Sequence, residues 1–154
     1  MTRILFLCTG NICRSPLADG YARYRVQALG LDWHIDSAGT GAWHVGEAPD
    51  PRARAVAYRR GYPIDSLRAR QLDAADHFEF DYIIALDRSH LDHLQRYRPQ
   101  DGVAENTLLL SWSNLAHEDV ADPYYDDDAA FELTADEIEA GVDALIAALQ
   151  TRAS

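Results

Sequence analysis

The first sixteen residues constrain this chain more than any other stretch. Ile4-Leu5-Phe6-Leu7 is an unbroken apolar run, Thr9-Gly10-Asn11 is turn-forming, and Ser15-Pro16 reads as an N-cap followed by proline in a first helical turn. A buried strand therefore ends at Cys8, yields to a short loop and passes into a helix. Five residues separate Cys8 from Arg14. A loop that short, with its amide N–H groups turned inward beside a helix N-terminus, makes a cradle for one oxyanion. The residue types suit such a cradle. A helix N-terminus and a nearby cation lower a thiol pKa from about 8.5 to roughly 3.5–7.5, so Cys8 is expected to be a thiolate at neutral pH. Arg14 brings a planar, permanently charged fork able to hold two oxygens of a phosphoryl group while its charge spreads. Gly10 is expected to take a positive φ, and Asn11 tolerates the left-handed region. The Ser15 hydroxyl is expected both to cap the helix and to donate to the Cys8 sulfur.

The run Cys8-Thr9-Gly10-Asn11-Ile12-Cys13-Arg14-Ser15-Pro16 resembles the signature of the low-molecular-weight protein tyrosine phosphatases. Further similarities cover most of the chain: Asp36-Ser37-Ala38-Gly39-Thr40, Arg68-Ala69-Arg70-Gln71, Phe80-Asp81-Tyr82-Ile83-Ile84 and Asp122-Pro123-Tyr124-Tyr125. A lone cysteine and arginine at this spacing is a weak signal, but the long form with a distant Asp-Pro-Tyr-Tyr is specific. The resemblance implies phosphotyrosine hydrolysis through a cysteinyl-phosphate, with no cofactor and no metal. It assigns Cys8 as nucleophile, Arg14 as transition-state stabiliser and Asp122 as general acid and base. It makes Thr9, Gly10, Asn11, Ile12, Cys13 and Ser15 the phosphate-binding loop, with Ser37 bracing Asn11. Many members carry a histidine where this chain has Leu67, so one polar brace fewer is expected behind the loop.

Three neighbouring activities are weighed against that one. Arsenate reductases with a similar loop relay through further cysteines, and this chain has none after Cys13. Protein arginine phosphatases tend to carry threonine at the position of Ile12, and a branched apolar residue suits a flat aromatic ring better. A non-catalytic phosphate-binding domain would find Asp122 dispensable. Two thiols in one cradle also suggest redox control: peroxide would turn Cys8 into a sulfenic acid and Cys13 would condense with it.

The 154 residues, 47% of them hydrophobic, suit one domain over 1–154 with a sizeable core. A formal net charge of −11 argues against nucleic acid or an anionic membrane as partner. No apolar run reaches membrane-spanning length, and two cysteines five apart suit a reducing compartment, the cytoplasm. The expected partner is a phosphotyrosine-containing protein, a tyrosine kinase among the candidates, and the chain is expected to act as a monomer. All fourteen basic residues are arginine; six lie within 52–70 and none within 101–150. The simplest reading is a solvated helix face and an acidic tail.

In chain order, strands are expected at 3–8, 33–37, 82–86 and 107–110, and helices at 15–29, 51–60, 88–96 and 127–150. Gly30 and Gly61 stop the first two helices, Asp50 and Asp87 cap the second and third, and Asp87 is expected to cap rather than to take part in catalysis. Leu17, Tyr21, Tyr24 and Ala28 are expected on the buried face of the first helix, and Ala130, Leu133, Ala140, Leu145, Ile146 and Leu149 on that of the last. His90 and His93 are expected to face solvent, and six histidines without paired spacing suggest no metal site. Trp43 in the loop 40–50 and Tyr124-Tyr125 in the irregular stretch 111–126 are expected to form opposite walls around a substrate ring. Strands alternating with helices predict an α/β fold, a four-stranded parallel doubly wound sheet with helices on both faces and the phosphate loop after the first strand.

Overall fold

The computed structural model describes residues 1–153. The elements run β1 (Arg3–Cys8), α1 (Arg14–Ala28), β2 (His34–Gly39), α2 (Pro51–Arg59), α3 (Asp76–Glu79), β3 (Tyr82–Ala85), α4 (Arg88–Tyr97), β4 (Glu105–Leu108), a 3₁₀ turn (Leu109–Trp112) and α5 (Asp128–Ala153). All strand pairs are parallel, in the order β2-β1-β3-β4. The four-stranded parallel sheet read from the sequence is therefore the fold.

Side chains alternate along β1, and that alternation decides which side of the sheet receives the sulfur. Ile4, Phe6 and Cys8 join the core formed with α1, α2 and α5, whereas Leu5 and Leu7 face the smaller core with Leu91 and Leu94 of α4. A strand buried on both faces needs the continuous apolar run that this one has. At the carboxyl end of β1, Cys8 lies opposite Gly39 of β2. The Thr40 N–H reaches the Cys8 carbonyl at 2.9 Å and the Gly41 N–H the Thr9 carbonyl at 3.0 Å, so the pairing continues into the loop.

Several expectations change where tertiary packing overrides local pattern. The fourth strand is Glu105–Leu108, and Leu109–Trp112 turns into a 3₁₀ helix. The buried face of α1 runs through Leu17, Ala18, Ala22 and Val26, leaving Tyr24 and Ala28 exposed and Tyr21 half-buried. On α5 the core stripe is Phe131, Ala135, Ile138, Val142, Leu145, Ile146 and Leu149, so Leu133 and Ala140 face solvent.

The two ends of the charge distribution are partners. Arg59 pairs with Glu132, and Arg60 with Glu132, Asp136 and Glu139 of α5; Arg70 pairs with Asp36 and Asp76. Two of the six arginines in 52–70, Arg59 and Arg60, are thus paired with the acidic helix packed against α2, while Arg52 and Arg70 find carboxylates elsewhere. Exposed pairs of this kind stabilise little each. Gly30 (φ +69°) and Gly61 (φ +88°) end α1 and α2 as the sequence suggests. No described helix is long and apolar enough to cross a membrane.

Candidate active site

The loop between β1 and α1 is held from behind by one asparagine. Asn11, not Gly10, takes the left-handed conformation (φ +58°), and its side chain is what stabilises it there. Its Oδ1 accepts the Arg70 N–H at 3.0 Å, and its Nδ2 donates to Ser15 Oγ at 2.8 Å and Ser37 Oγ at 3.1 Å. Gly10 serves by lacking a side chain: a Cβ there would sit 3.1 Å from the His44 ring. Gly39 is more demanding, because a Cβ on it would come 2.7 Å from the Thr9 carbonyl. Among the described residues, no protein acceptor meets the backbone N–H of Gly10, Asn11, Ile12 or Cys13. These donors are free for an oxyanion.

Ser15 does not cap the helix. α1 begins at Arg14, its N-cap is Cys13, and no side chain caps it. The Ser15 hydroxyl lies instead 2.9 Å from Cys8 Sγ, with the Ala38 carbonyl farther off at 3.4 Å. Since Asn11 donates to Ser15, the serine proton is available to the sulfur. Leu67 packs on the core, and Ser37 is held from α1: its hydroxyl donates to Asp19 at 2.8 Å, and Arg23 holds the other Asp19 oxygen. Burial pushes the Asp19 pKa up, against the pull of Arg23 and Ser37. The only sequence signal for this role is an aspartate and an arginine one helical turn apart.

Arg14 is 3% exposed. Its Nη1 donates to Asp87 Oδ2 at 2.6 Å and to the Val120 carbonyl at 2.8 Å, and its Nη2 lies 3.6 Å from Asp122 Oδ2. Asp87 therefore does more than cap α4, for one carboxylate holds both the helix N-terminus and the arginine. Burial would raise its pKa, but hydrogen bonds from Ser89 and Arg14 outweigh burial and keep it below the usual carboxylate range. Asp122 is 48% exposed, on a segment tied to the sheet where the Val120 N–H meets the Leu86 carbonyl at 2.9 Å. Cys8, Arg14 and Asp122 thus line one cleft of about 450 Å³, with Thr9, Ile12, Trp43, His44, Tyr124 and Tyr125 around them. Cys13 lines it too, and burial followed by the charge of Asp50 pushes its thiol far above the ordinary range. Among the described residues, no group of three or more histidine, cysteine or acidic side chains is arranged to hold a metal.

Residues 3–154 match the family described as low molecular weight phosphotyrosine protein phosphatase. A Streptomyces coelicolor protein named low molecular weight protein-tyrosine-phosphatase is 42% identical, over 96% of this chain and 93% of its own. The chain belongs to the low molecular weight phosphotyrosine protein phosphatase family. The crystal structure of Bacillus subtilis YfkJ superposes with a TM-score of 0.93 at 34% identity, covering 100% of this chain and 98% of that one. That of a Drosophila arginine phosphatase gives 0.89 at 30%, covering 100% and 99%.

The walls of this phosphatase's cleft are built differently from its floor. Trp43 is 74% and Tyr125 93% exposed, and Tyr125 meets Tyr124 edge to face at 4.9 Å. The loop carrying Tyr124 and Tyr125 is moored by Arg52, a residue sequence reasoning passed over. Its Nη2 donates to the Tyr124 carbonyl at 2.8 Å and its Nη1 to the Asp126 carbonyl at 3.1 Å, while Asp50 fixes the guanidinium from below. His44, paired with Glu47, closes the mouth beside Gly10. His90 does not face solvent: it is 1% exposed, with Nε2 2.9 Å from Thr9 Oγ1. His93 is half-buried against the Tyr97 ring.

Proposed function

We propose that this low molecular weight protein tyrosine phosphatase hydrolyses phosphotyrosine in proteins by two displacements at phosphorus. In the first, Cys8 Sγ attacks as thiolate, the S–P bond forms while the bond to the phenolic oxygen breaks, and protonated Asp122 gives its proton to that oxygen. Arg14 and the free loop amides hold the equatorial oxygens where charge spreads. In the second, Asp122 as carboxylate takes a proton from water, the water oxygen attacks phosphorus, and the sulfur leaves as thiolate with the Ser15 hydroxyl donating to it. Inorganic phosphate departs and the proton count is restored.

The observation that carries this reading is the convergence of Cys8, Arg14 and Asp122 on one cleft, with Asp122 Oδ2 3.6 Å from the Arg14 guanidinium. A phenolate is a poor leaving group, since its acid has a pKa near about 10, so the half-exposed acid beside the cleft has a task. Ile12 and the aromatic walls favour a flat ring over a guanidinium, which sets the arginine-phosphatase alternative second. The proposal includes a cytoplasmic monomer whose substrate is a phosphotyrosine-bearing protein, a tyrosine kinase among the candidates. It also includes a Cys8–Cys13 disulfide after peroxide, formed slowly, because burial keeps Cys13 a thiol and not the ready thiolate that closure needs.

The test is a leaving-group series of aryl phosphates with the native protein and Asp122→Ala. Loss of turnover by roughly 10²–10⁴ for phosphotyrosine, shrinking as the leaving phenol becomes more acidic, is the expected result. An equal loss across the series removes Asp122 from the acid role.

A further inference from the structure

The first turn of α4 touches the phosphate loop at both ends, and the reaction outlined above uses only one of these contacts. Asp87 grips Arg14 at the far end. Three residues on, His90 reaches Thr9 at the near end, next to the nucleophile. The buried ring meets the Asp87 backbone N–H at Nδ1, 3.2 Å away. A ring nitrogen that accepts from an amide carries no proton, so in the neutral imidazole the proton sits on Nε2. Nε2–H is then the donor in the 2.9 Å bond to Thr9 Oγ1, and the threonine oxygen is the acceptor. The Thr9 hydroxyl proton has no partner on the protein among the described residues, and Thr9 lines the cleft with Arg14.

We propose that His90 is a positioning residue: by donating Nε2–H to Thr9 Oγ1 it turns the threonine hydroxyl proton into the cleft, as one more donor to the bound phosphoryl group. The proposal rests on the phosphate-binding reading of the site. It assigns the first turn of α4 a double task, with Asp87 setting the guanidinium and His90 setting the hydroxyl, both within one capping box. Burial, and after it the Arg14 charge, hold the His90 pKa down to about 4 against the opposing pull of Asp87, Asp122 and Asp119. The neutral tautomer therefore persists through the pH range in which a thiolate nucleophile works. Protonation would displace the Asp87 N–H from Nδ1 and turn that nitrogen toward Asp87 Oδ1, 3.3 Å away, and so break the capping arrangement.

The test measures inorganic phosphate binding by calorimetry and by competition against p-nitrophenyl phosphate. Thr9→Val keeps the side-chain shape without the hydroxyl, and His90→Leu removes the donor. Each is expected to weaken phosphate binding roughly 3- to 10-fold, and the double variant to be no weaker than the weaker single one. A purely structural role for His90 predicts a lowered Tm with unchanged phosphate affinity in His90→Leu, or losses that multiply in the double variant; either result overturns the proposal. Should His90→Leu fail to fold, Thr9→Val decides, since unchanged phosphate affinity there overturns it and a loss with kcat/KM falling in step supports it. Native protein that binds phosphate without turning over p-nitrophenyl phosphate would strike the hydrolytic reading and leave this one intact.

Discussion

The floor and the walls of the cleft are opposite solutions to placing side chains. On the floor, Asn11, Arg14, Ser15 and Ser37 are buried, and each is held by at least two partners from different elements. On the walls, Trp43 and Tyr125 are exposed; Arg52 holds the backbone of the tyrosine loop at Tyr124, and Tyr125 makes one edge-to-face contact with Tyr124. Buried, mutually satisfied polar networks are costly to disturb, whereas exposed aromatics can adapt. The difference teaches that this fold commits its rigidity to the cleft floor, where the proposed reaction holds phosphorus, and leaves the rim compliant. Changes on the floor should therefore cost rate, and changes on the rim should cost substrate affinity.

The largest effect that could break this contrast is on the floor itself. Cys8→Ser and Arg14→Ala should each abolish measurable turnover of p-nitrophenyl phosphate, while a rim substitution such as Trp43→Ala should not. Next comes Asp87→Asn, which leaves Arg14 with a weaker, neutral partner. We expect kcat to fall roughly 10- to 100-fold with KM changed much less, measured by steady-state kinetics. If KM bore the whole effect, Asp87 would be serving the substrate and not the guanidinium.

Stability against pH sharpens the comparison from another side. The His90 pKa is depressed to about 4 in the fold, whereas the unfolded side chain has a value near about 6.5. The unfolded chain therefore binds more protons between these values, so His90 contributes stability that is full above about pH 6.5 and is lost as pH falls toward about 4. Denaturant midpoints of the native protein should drop over that window by the equivalent of about 1–3 kcal/mol, and His90→Gln should flatten the slope. An unchanged slope in the variant would mean the buried ring titrates normally.

The smallest effect is expected on the rim. Trp43→Ala should raise KM for a phosphotyrosyl peptide roughly 3- to 10-fold with kcat changed less, because it removes aromatic contact and leaves the floor alone. A fall in kcat with KM unchanged would show that the wall takes part in placing phosphorus.

How much of this was legible follows the same division. The strand–loop–helix of residues 3–28 and the caps at Asp50 and Asp87 are local patterns, and they appear in the structure where the sequence suggests them. What stayed hidden depends on partners that only the folded loop and its neighbours bring together. Ser15 looks like an N-cap because the cap rule is local, yet its hydroxyl is claimed by Asn11 and Cys8. Gly10 looks like the residue for a positive φ, but Asn11, tied to nearby Ser15 and to distant Ser37 and Arg70, holds it. His90 looks like one more polar helix residue, and only a fold that lays α4 beside Thr9, eighty-one positions away, buries it. Arg52 and Asp19 were unreadable for the same reason.

The account stands or falls on phosphorus passing through Cys8. Rapid acid quench of the native protein reacting with p-nitrophenyl phosphate, followed by mass spectrometry of its peptides, tests this most directly. The account predicts a phosphate on Cys8 that forms within a single turnover and accumulates in Asp122→Ala treated with a substrate of acidic leaving group. Full turnover with Cys8 never carrying phosphate would contradict it.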